Sequence, residues 1–137
     1  MPRAVLDTNV LVSALIAPGG PSAALLLELR AGAFELVVSP RLIDELVEVL
    51  ARPKIARYVS AAEATAYVEL VRSESAGLDD PPPSGQALCD DPDDEFLIDL
   101  ARAAGADVLV SGDAHLLALR DRLAVLTPAE FLATLSG

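Results

Sequence analysis

Four short apolar runs punctuate this chain, "RAVLD" (3–7), "FELVV" (34–38), "DVLVS" (107–111) and "AVLT" (124–127), and helical patterns with clear start and stop signals lie between them. Strands separated by helices in this way cannot pair as hairpins. Each crossover brings the next strand in parallel, which gives an α/β/α sandwich around a central, mainly parallel sheet of four to five strands. The helices read as about Val10 to Ala17, Ser22 to about Ala31 with Ser22 as cap and Gly32 as stop, and a third opened by Ser39 with Pro40 at its first position. "RPKIARYV" interrupts the pattern, and the capping box "SAAE" (60–63) then opens a helix to about Ser75. "GLDDPPPSG" reads as loop, a helix follows from about Asp93 to Ala104 with Gly105 as stop, "HLLAL" is a short helix, and the box "TPAE" opens the last one.

One domain over residues 1–137 is expected, because the length suits one core and 53% of the residues are hydrophobic. The apolar stretches are too short for a membrane span and no basic-then-apolar leader opens the chain, so a cytoplasmic protein is expected. Cys89 is the only cysteine, which rules out an internal disulfide and a four-cysteine zinc site. Twenty-one acidic residues against ten basic ones, formal charge −11, make a poor nonspecific binder of polyanions, and 4% aromatic residues without tryptophan argue against base-stacking platforms. A nucleic-acid role has to account for this acidity.

In parallel sheets, sites form at the carboxyl ends of the strands. Asp7 ends the first run and Asp113 follows the "DVLVSG" run, so both fall at that edge. Thr8 and Asn9, directly after Asp7, have short polar side chains able to hold a carboxylate. Glu45 borders an apolar arc of Leu42, Ile43, Leu46, Val47, Val49 and Leu50 at about 100° per residue, whereas Asp44 and Glu48 lie further round. Asp91, Asp93, Asp94 and Glu95 crowd one helix start, where one or two acids complement the helix dipole but four repel one another. Asp94 is one helical step from the arc of Phe96, Leu97, Leu100 and Ala101, and is the acid expected to face inward. Asp7, Glu45, Asp94 and Asp113 are thus four carboxylates from four elements, an oxygen-only donor set suited to Mg²⁺ or Mn²⁺. Such ions activate water and neutralise phosphate charge, the chemistry of phosphodiester cleavage.

The segments "VLDTNVLVSAL", "SPRLIDELVEVLARPKI" and "DPDDEFLIDLARAAGADVLVSGDAHLLAL", in that order, resemble the PIN-domain ribonuclease family, most closely its bacterial branch of toxins from virulence-associated toxin–antitoxin pairs. The resemblance spans nearly the whole chain. It implies that Asp7, Glu45, Asp94 and Asp113 hold one or two divalent cations for RNA cleavage, with Thr8, Asn9 and Ser111 in support. It also implies an RNA substrate, a basic antitoxin protein and a homodimer. Arg41, Arg52, Lys54 and Arg57, the densest basic region, are candidates for RNA phosphate contacts, with solvated helix ends as the alternative. His115 is expected to be a surface residue, and Cys89 an unreactive one because its acidic neighbours raise its pKa. Two other classes compete: a PIN-fold binding module that acts through a protein partner, and a haloacid-dehalogenase-type phosphatase, which needs a second acid where Asn9 stands.

Overall fold

The computed structural model describes residues 1–85 and 88–136. Its centre is a sheet of five parallel strands in the order β3-β2-β1-β4-β5. These are β1 (Arg3–Leu6), β2 (Glu35–Val38), β3 (Ser75–Gly77), β4 (Val108–Val110) and β5 (Val125–Leu126). Ala4, Val5, Leu36, Val37 and Val110 are completely covered, as expected of parallel strands with helices on the sheet. The helices are α1 (Thr8–Ile16), α2 (Pro21–Arg30), α3 (Pro40–Leu50), α4 (Pro53–Ala56), α5 (Ala61–Ser73), α6 (Pro92–Ala103), α7 (Ala114–Leu117) and α8 (Pro128–Leu135). They pack in a chain of neighbours, α8 on α2, α2 on α1, α1 on α3 and α3 on α5, while α6 lies on β1 and β4. Phe34 and Phe131 meet edge to face at 5.1 Å, tying α8 to the start of β2, and the buried Tyr67 hydroxyl donates to the Leu11 carbonyl at 2.5 Å, tying α5 to α1. Among the described residues no single helix is long and apolar enough to cross a membrane.

The strand order places the site. From β1 the chain moves outward to β2 and β3, then returns to the other side of β1 for β4 and β5. The direction of winding therefore reverses between β1 and β4, and a crevice opens beyond their carboxyl ends. The register pairs Leu6 with Val110, and the Asp7 amide continues the ladder to the Val110 carbonyl at 2.9 Å.

Most punctuation acts as expected. Both capping boxes, Ser60–Glu63 and Thr127–Glu130, form in full. Gly32 (φ 81°) and Gly105 (φ 60°) close α2 and α6 in the left-handed conformation, with the following amides reaching back to the Glu28 and Ala101 carbonyls, a Schellman ending. Several expectations need correction. The first helix begins at Thr8, not Val10, because the Asp7 side chain caps it through the Asn9 amide. Ser22 is not a cap: Gly20 holds that place, Pro21 is the first helical residue, and Ser22 is buried within α2. Ser39 occupies the cap position of α3, yet its buried hydroxyl has no hydrogen-bond partner. "RPKIARYV" contains the short helix α4. The third strand in chain order lies in "SAG", where a helix end and loop are expected from the sequence; it pairs with β2 through Val37–Ala76. Val47, read as part of the apolar arc of α3, is exposed.

Candidate functional site

Asp7, Asp94 and Asp113 come together at the β1–β4 crevice. Asp7 leaves β1 at the carboxyl edge and is only 8% exposed. Its Oδ2 accepts from the Ser111 hydroxyl at 2.8 Å and its Oδ1 from the Asn9 amide at 3.3 Å. Ser111, with no exposed surface, also accepts from the Asp113 amide at 3.0 Å, so one hydroxyl fixes the ends of two neighbouring strands to each other. Asp113 in turn caps α7 through the His115 amide at 2.7 Å. The capping role and the edge position coexist, since the cap engages Oδ1.

The α6 start sorts its acids as helix phase requires. Asp91 is the N-cap, accepting from the Asp93 amide at 2.8 Å. Asp93 points outward to Arg41 at 3.0 Å, Glu95 accepts from the Cys89 amide, and Asp94 alone of the helix-start acids turns in, at 7% exposure. On α3, Asp44 and Glu48 are exposed while Glu45 is half-buried.

Electrostatics binds these acids into one group. Burial raises the Asp7 carboxyl above the usual range, the Ser111 and Asn9 hydrogen bonds pull it down, and the Asp113 charge raises it again. Asp94 is pushed up to about 6, first by burial and then by Asp113, Asp91 and Asp7. Glu45 is raised by burial, by Asp93 and by Asp7, with Thr8 and Arg41 opposing. Asp7 is therefore the common neighbour through which Glu45 joins the aspartates. The Thr8 hydroxyl, buried and near enough to favour a charged Glu45, makes no hydrogen bond of normal geometry. Among the described residues no three His, Cys, Asp or Glu side chains stand in ligating geometry, so the carboxylates converge without closing a cage.

Two clefts open on the group. One, about 280 Å³, is lined by Leu88, Cys89, Asp90, Asp91, Asp94 and His115. The other, about 300 Å³, is lined by Asp7, Asn9, Ser13, Ser22, Gly112 and Asp113 among others. Ser13 and Ser22 were not readable as site residues, because both sit in apolar helical patterns whose orientation only packing decides. Asn9 supports Asp7 through its backbone amide, not its exposed side chain, so the expected side-chain support falls to Ser111 alone.

The basic residues divide. Arg41 stands beside the acids, over the Phe96 ring at 4.4 Å and bonded to Asp93. Arg52, Lys54 and Arg57 do not share this place. α3 runs away from the carboxyl edge, and nine residues at 1.5 Å each put its last residue, Leu50, about 14 Å along the axis from Arg41, with Arg52 beyond it. All three are exposed, and Arg52 faces Glu48 at 3.8 Å. His115 is 88% exposed, with Nδ1 3.4 Å from Asp113. Partial burial, then Asp94 and Glu95, push the Cys89 thiol up, away from reactive thiolate character.

Ser111→Ala removes the hydroxyl that joins Asp7 to the Asp113 backbone and leaves a buried carboxyl short of a donor, an expected cost of about 1–3 kcal/mol. Urea unfolding of the chelated protein at neutral pH should show a lower midpoint; an unchanged midpoint would mean that the bridge is not part of the folded state's stability.

Comparison with known proteins agrees with this architecture. A chain of the VapBC2 complex from Rickettsia felis, crystallised bound to a DNA fragment from their promoter, superposes with a TM-score of 0.64 at 16% identity, over 91% of this chain and 98% of that one. PAE2754 from Pyrobaculum aerophilum superposes with a TM-score of 0.67 at 20% identity, over 98% and 90% of the two chains. At these identities the likeness is one of fold. In sequence, the uncharacterized protein MJ1680 of Methanocaldococcus jannaschii is 29% identical over 140 residues, covering 95% of this chain and 89% of that protein. The PIN domain family model matches residues 3–115, from the first residue of β1 through Asp113 and into α7. The chain belongs to the PIN-domain family.

Proposed function

We propose that this protein is a divalent-metal-dependent endoribonuclease and the toxin of a toxin–antitoxin pair, with Asp7, Glu45, Asp94 and Asp113 as its metal-holding and catalytic carboxylates. The observation that carries the reading is the gathering of acids at a topological switch point, where burial first and neighbouring carboxylates second raise Asp7, Glu45 and Asp94, with Asp7 acting on both of the others. Structural acids are normally paired with bases or hydrogen-bond donors that lower them; here burial and neighbouring acids hold them up, an arrangement that favours a cation. PIN domains are in general nucleases, which fits that chemistry.

The donor set fits a hard divalent ion such as Mg²⁺ or Mn²⁺, since it offers oxygens alone, on four separate elements at an open crevice. The Ser111 bridge holds the Asp7 carboxylate and the Asp113 backbone, while Glu45 and Asp94, from α3 and α6, would supply the further carboxylates to an ion bound there. Bound there, the ion supplies an activated water and neutralises charge on the scissile phosphate. The protein's own part is to fix the Asp7 carboxylate and to keep Asp94 inward.

A basic partner suits the remaining acidic surface, and the VapBC2 likeness makes a small antitoxin the first candidate. Homodimerisation and a cytoplasmic location belong to the same proposal. The second reading, a binding module without turnover, draws on the lack of a closed ligand cage among the described residues. Incubating partner-free protein with a diverse single-stranded RNA pool and Mn²⁺, with and without excess chelator, separates the two. Chelator-sensitive cleavage is expected; intact RNA in both arms supports the binding module, and chelator-resistant cleavage contradicts a metal role.

A further inference from the structure

The two clefts that open on the acid group differ in chemistry. The one that contains Asp94 is lined by three aspartates and His115. In the other, about 300 Å³, Asp7 and Asp113 stand at the border and the remaining polar side chains are uncharged: Asn9 and Ser13 from α1 and Ser22 from α2. Asn9 and Ser13 are four residues apart and so share one face of α1. Val10 and Pro128 add apolar surface.

Ser22 is the residue that the fold does not explain. It is 7% exposed, it lines the cleft, and its hydroxyl has no hydrogen-bond partner among the described residues. Capping does not use it, because Gly20 holds the cap position of α2 and no side-chain bond forms there. The hydroxyls of Thr8 and Ser39 are also without partners, but those are sealed from solvent and the Ser22 oxygen is not, so what surface it keeps is open to the cleft. A largely buried hydroxyl is costly to leave unpaired. The lining also restricts what can pair with it. Among the described residues no Lys or Arg lines the cleft, and two carboxylates border it, so it offers a phosphate no partner. It has no aromatic ring or guanidinium on which a base could stack. A small, neutral group rich in hydroxyls fits, exchanging hydrogen bonds with Ser22, Asn9 and Ser13 while its carbon skeleton rests on Val10 and Pro128.

From this we infer that the cleft is a ribose subsite: the sugar next to the scissile phosphate enters it, the Ser22 hydroxyl donates to the 2′-oxygen, and Asn9 and Ser13 serve the sugar's other oxygens. The position suits the role, since a phosphate held at Asp7 and Asp113 brings its own sugar to this side. Ser22 is thereby the residue that tells RNA from DNA, because the 2′-hydroxyl is the group that DNA lacks. The inference rests on the nuclease reading for the identity of its ligand, but its test needs neither metal nor cleavage.

The test titrates chelated, metal-free protein with neutral nucleosides, followed by backbone amide shifts in NMR. Adenosine is compared with 2′-deoxyadenosine, and uridine with 2′-deoxyuridine; the members of each pair differ only by the 2′-hydroxyl. In both pairs the ribonucleoside should bind about fivefold tighter, the value of one ordinary hydrogen bond, and should shift the amides of Ser13, Ser22 and Gly112. The gap should be alike for the two bases, because the sugar is what the cleft reads. Ser22→Ala should bring each ribonucleoside to within about twofold of its deoxy counterpart and leave the deoxynucleosides as they were. The variant removes no hydrogen bond of the folded state, so its melting temperature should match that of wild type. Equal affinities within a pair, no shifts up to the solubility limit, or a fivefold gap that persists in folded Ser22→Ala overturn the subsite and leave the cleft to water. If Ser22→Ala does not fold, the wild-type shifts decide: a fivefold gap with shifts centred on Ser13, Ser22 and Gly112 supports the subsite, and the same gap with shifts elsewhere sinks it. Failure here leaves metal-dependent cleavage untouched, and loss of cleavage with sugar-selective binding intact removes the nuclease and keeps the subsite.

Discussion

Asp94→Asn should abolish RNA cleavage, by at least about a hundredfold, and at the same time make the metal-free protein more stable at neutral pH. The rate loss follows from charge: an amide keeps the shape and one acceptor oxygen but not the anion that holds a hard cation, and even outer-shell partners of metal ligands typically cost about 10–100-fold when changed. The stability gain has the same origin. Asp94 sits at about 6 against an ordinary 3.8, so at neutral pH the folded protein carries an ionised carboxylate that its surroundings disfavour. Removing it should return on the order of 1 kcal/mol, after allowance for solvent screening. Asp93→Asn and Glu95→Gln provide the contrast. Asp93 gives up an exposed pair with Arg41, and Glu95 a bond from the Cys89 amide, so each should cost about 1 kcal/mol or less and leave turnover nearly intact. Initial rates at saturating Mn²⁺, beside chemical melts in chelator, provide both readouts. Equal rate losses in all three variants would reduce the acid run to a helix start.

Metal and pH should act on stability in opposite senses. The raised pKa values of Asp7, Glu45 and Asp94 mean that the folded state holds these protons more tightly than the unfolded chain. Their stabilising contribution is therefore complete below the ordinary carboxylate values, 3.8 for Asp and 4.5 for Glu, and is lost as pH rises through the folded values, about 6 for Asp94. In chelator the melting temperature should rise as pH falls from about 7 toward about 5. With Mn²⁺ the protons compete with the ion, so the metal-induced increment should grow from about pH 5 to about pH 7. At a hundredfold excess over its dissociation constant the ion contributes about 2.7 kcal/mol, on the order of 10 °C for a chain of this size. Scanning calorimetry at both pH values, with and without Mn²⁺, checks the crossing. An increment independent of pH, or one retained by Asp7→Asn, would assign the ion to the acidic surface.

Periodicity carried the reading furthest where burial decides the structure. The apolar arc of α6 is continuous, so one phase argument picked Asp94 from four adjacent acids, and its 7% exposure agrees. The strand-end positions of Asp7 and Asp113 were equally legible, because an apolar run that stops at an acid marks the sheet edge. What stayed hidden depends on contacts across the chain. Strand β3 is three residues of "SAG" without alternation, defined only by its pairing with β2. The Ser111 bridge joins residues 104 positions apart, and the hydroxyl of a serine does not announce its acceptor. Arg52, Lys54 and Arg57 are near Arg41 in sequence, but a helix that leaves the site carries its far end away.

The central proposal is that carboxylates from four elements hold divalent metal at the β1–β4 crevice, and anomalous diffraction from crystals grown with Mn²⁺ tests it most directly. The account predicts a manganese peak bonded to Asp7 and to at least one of Asp94 and Asp113, near the roughly 2.0–2.1 Å separation typical of a small hard cation and oxygen, with Glu45 on the same ion or on a second one beside it. A peak elsewhere on the acidic surface, with Asp7 unligated at saturating Mn²⁺, would contradict it.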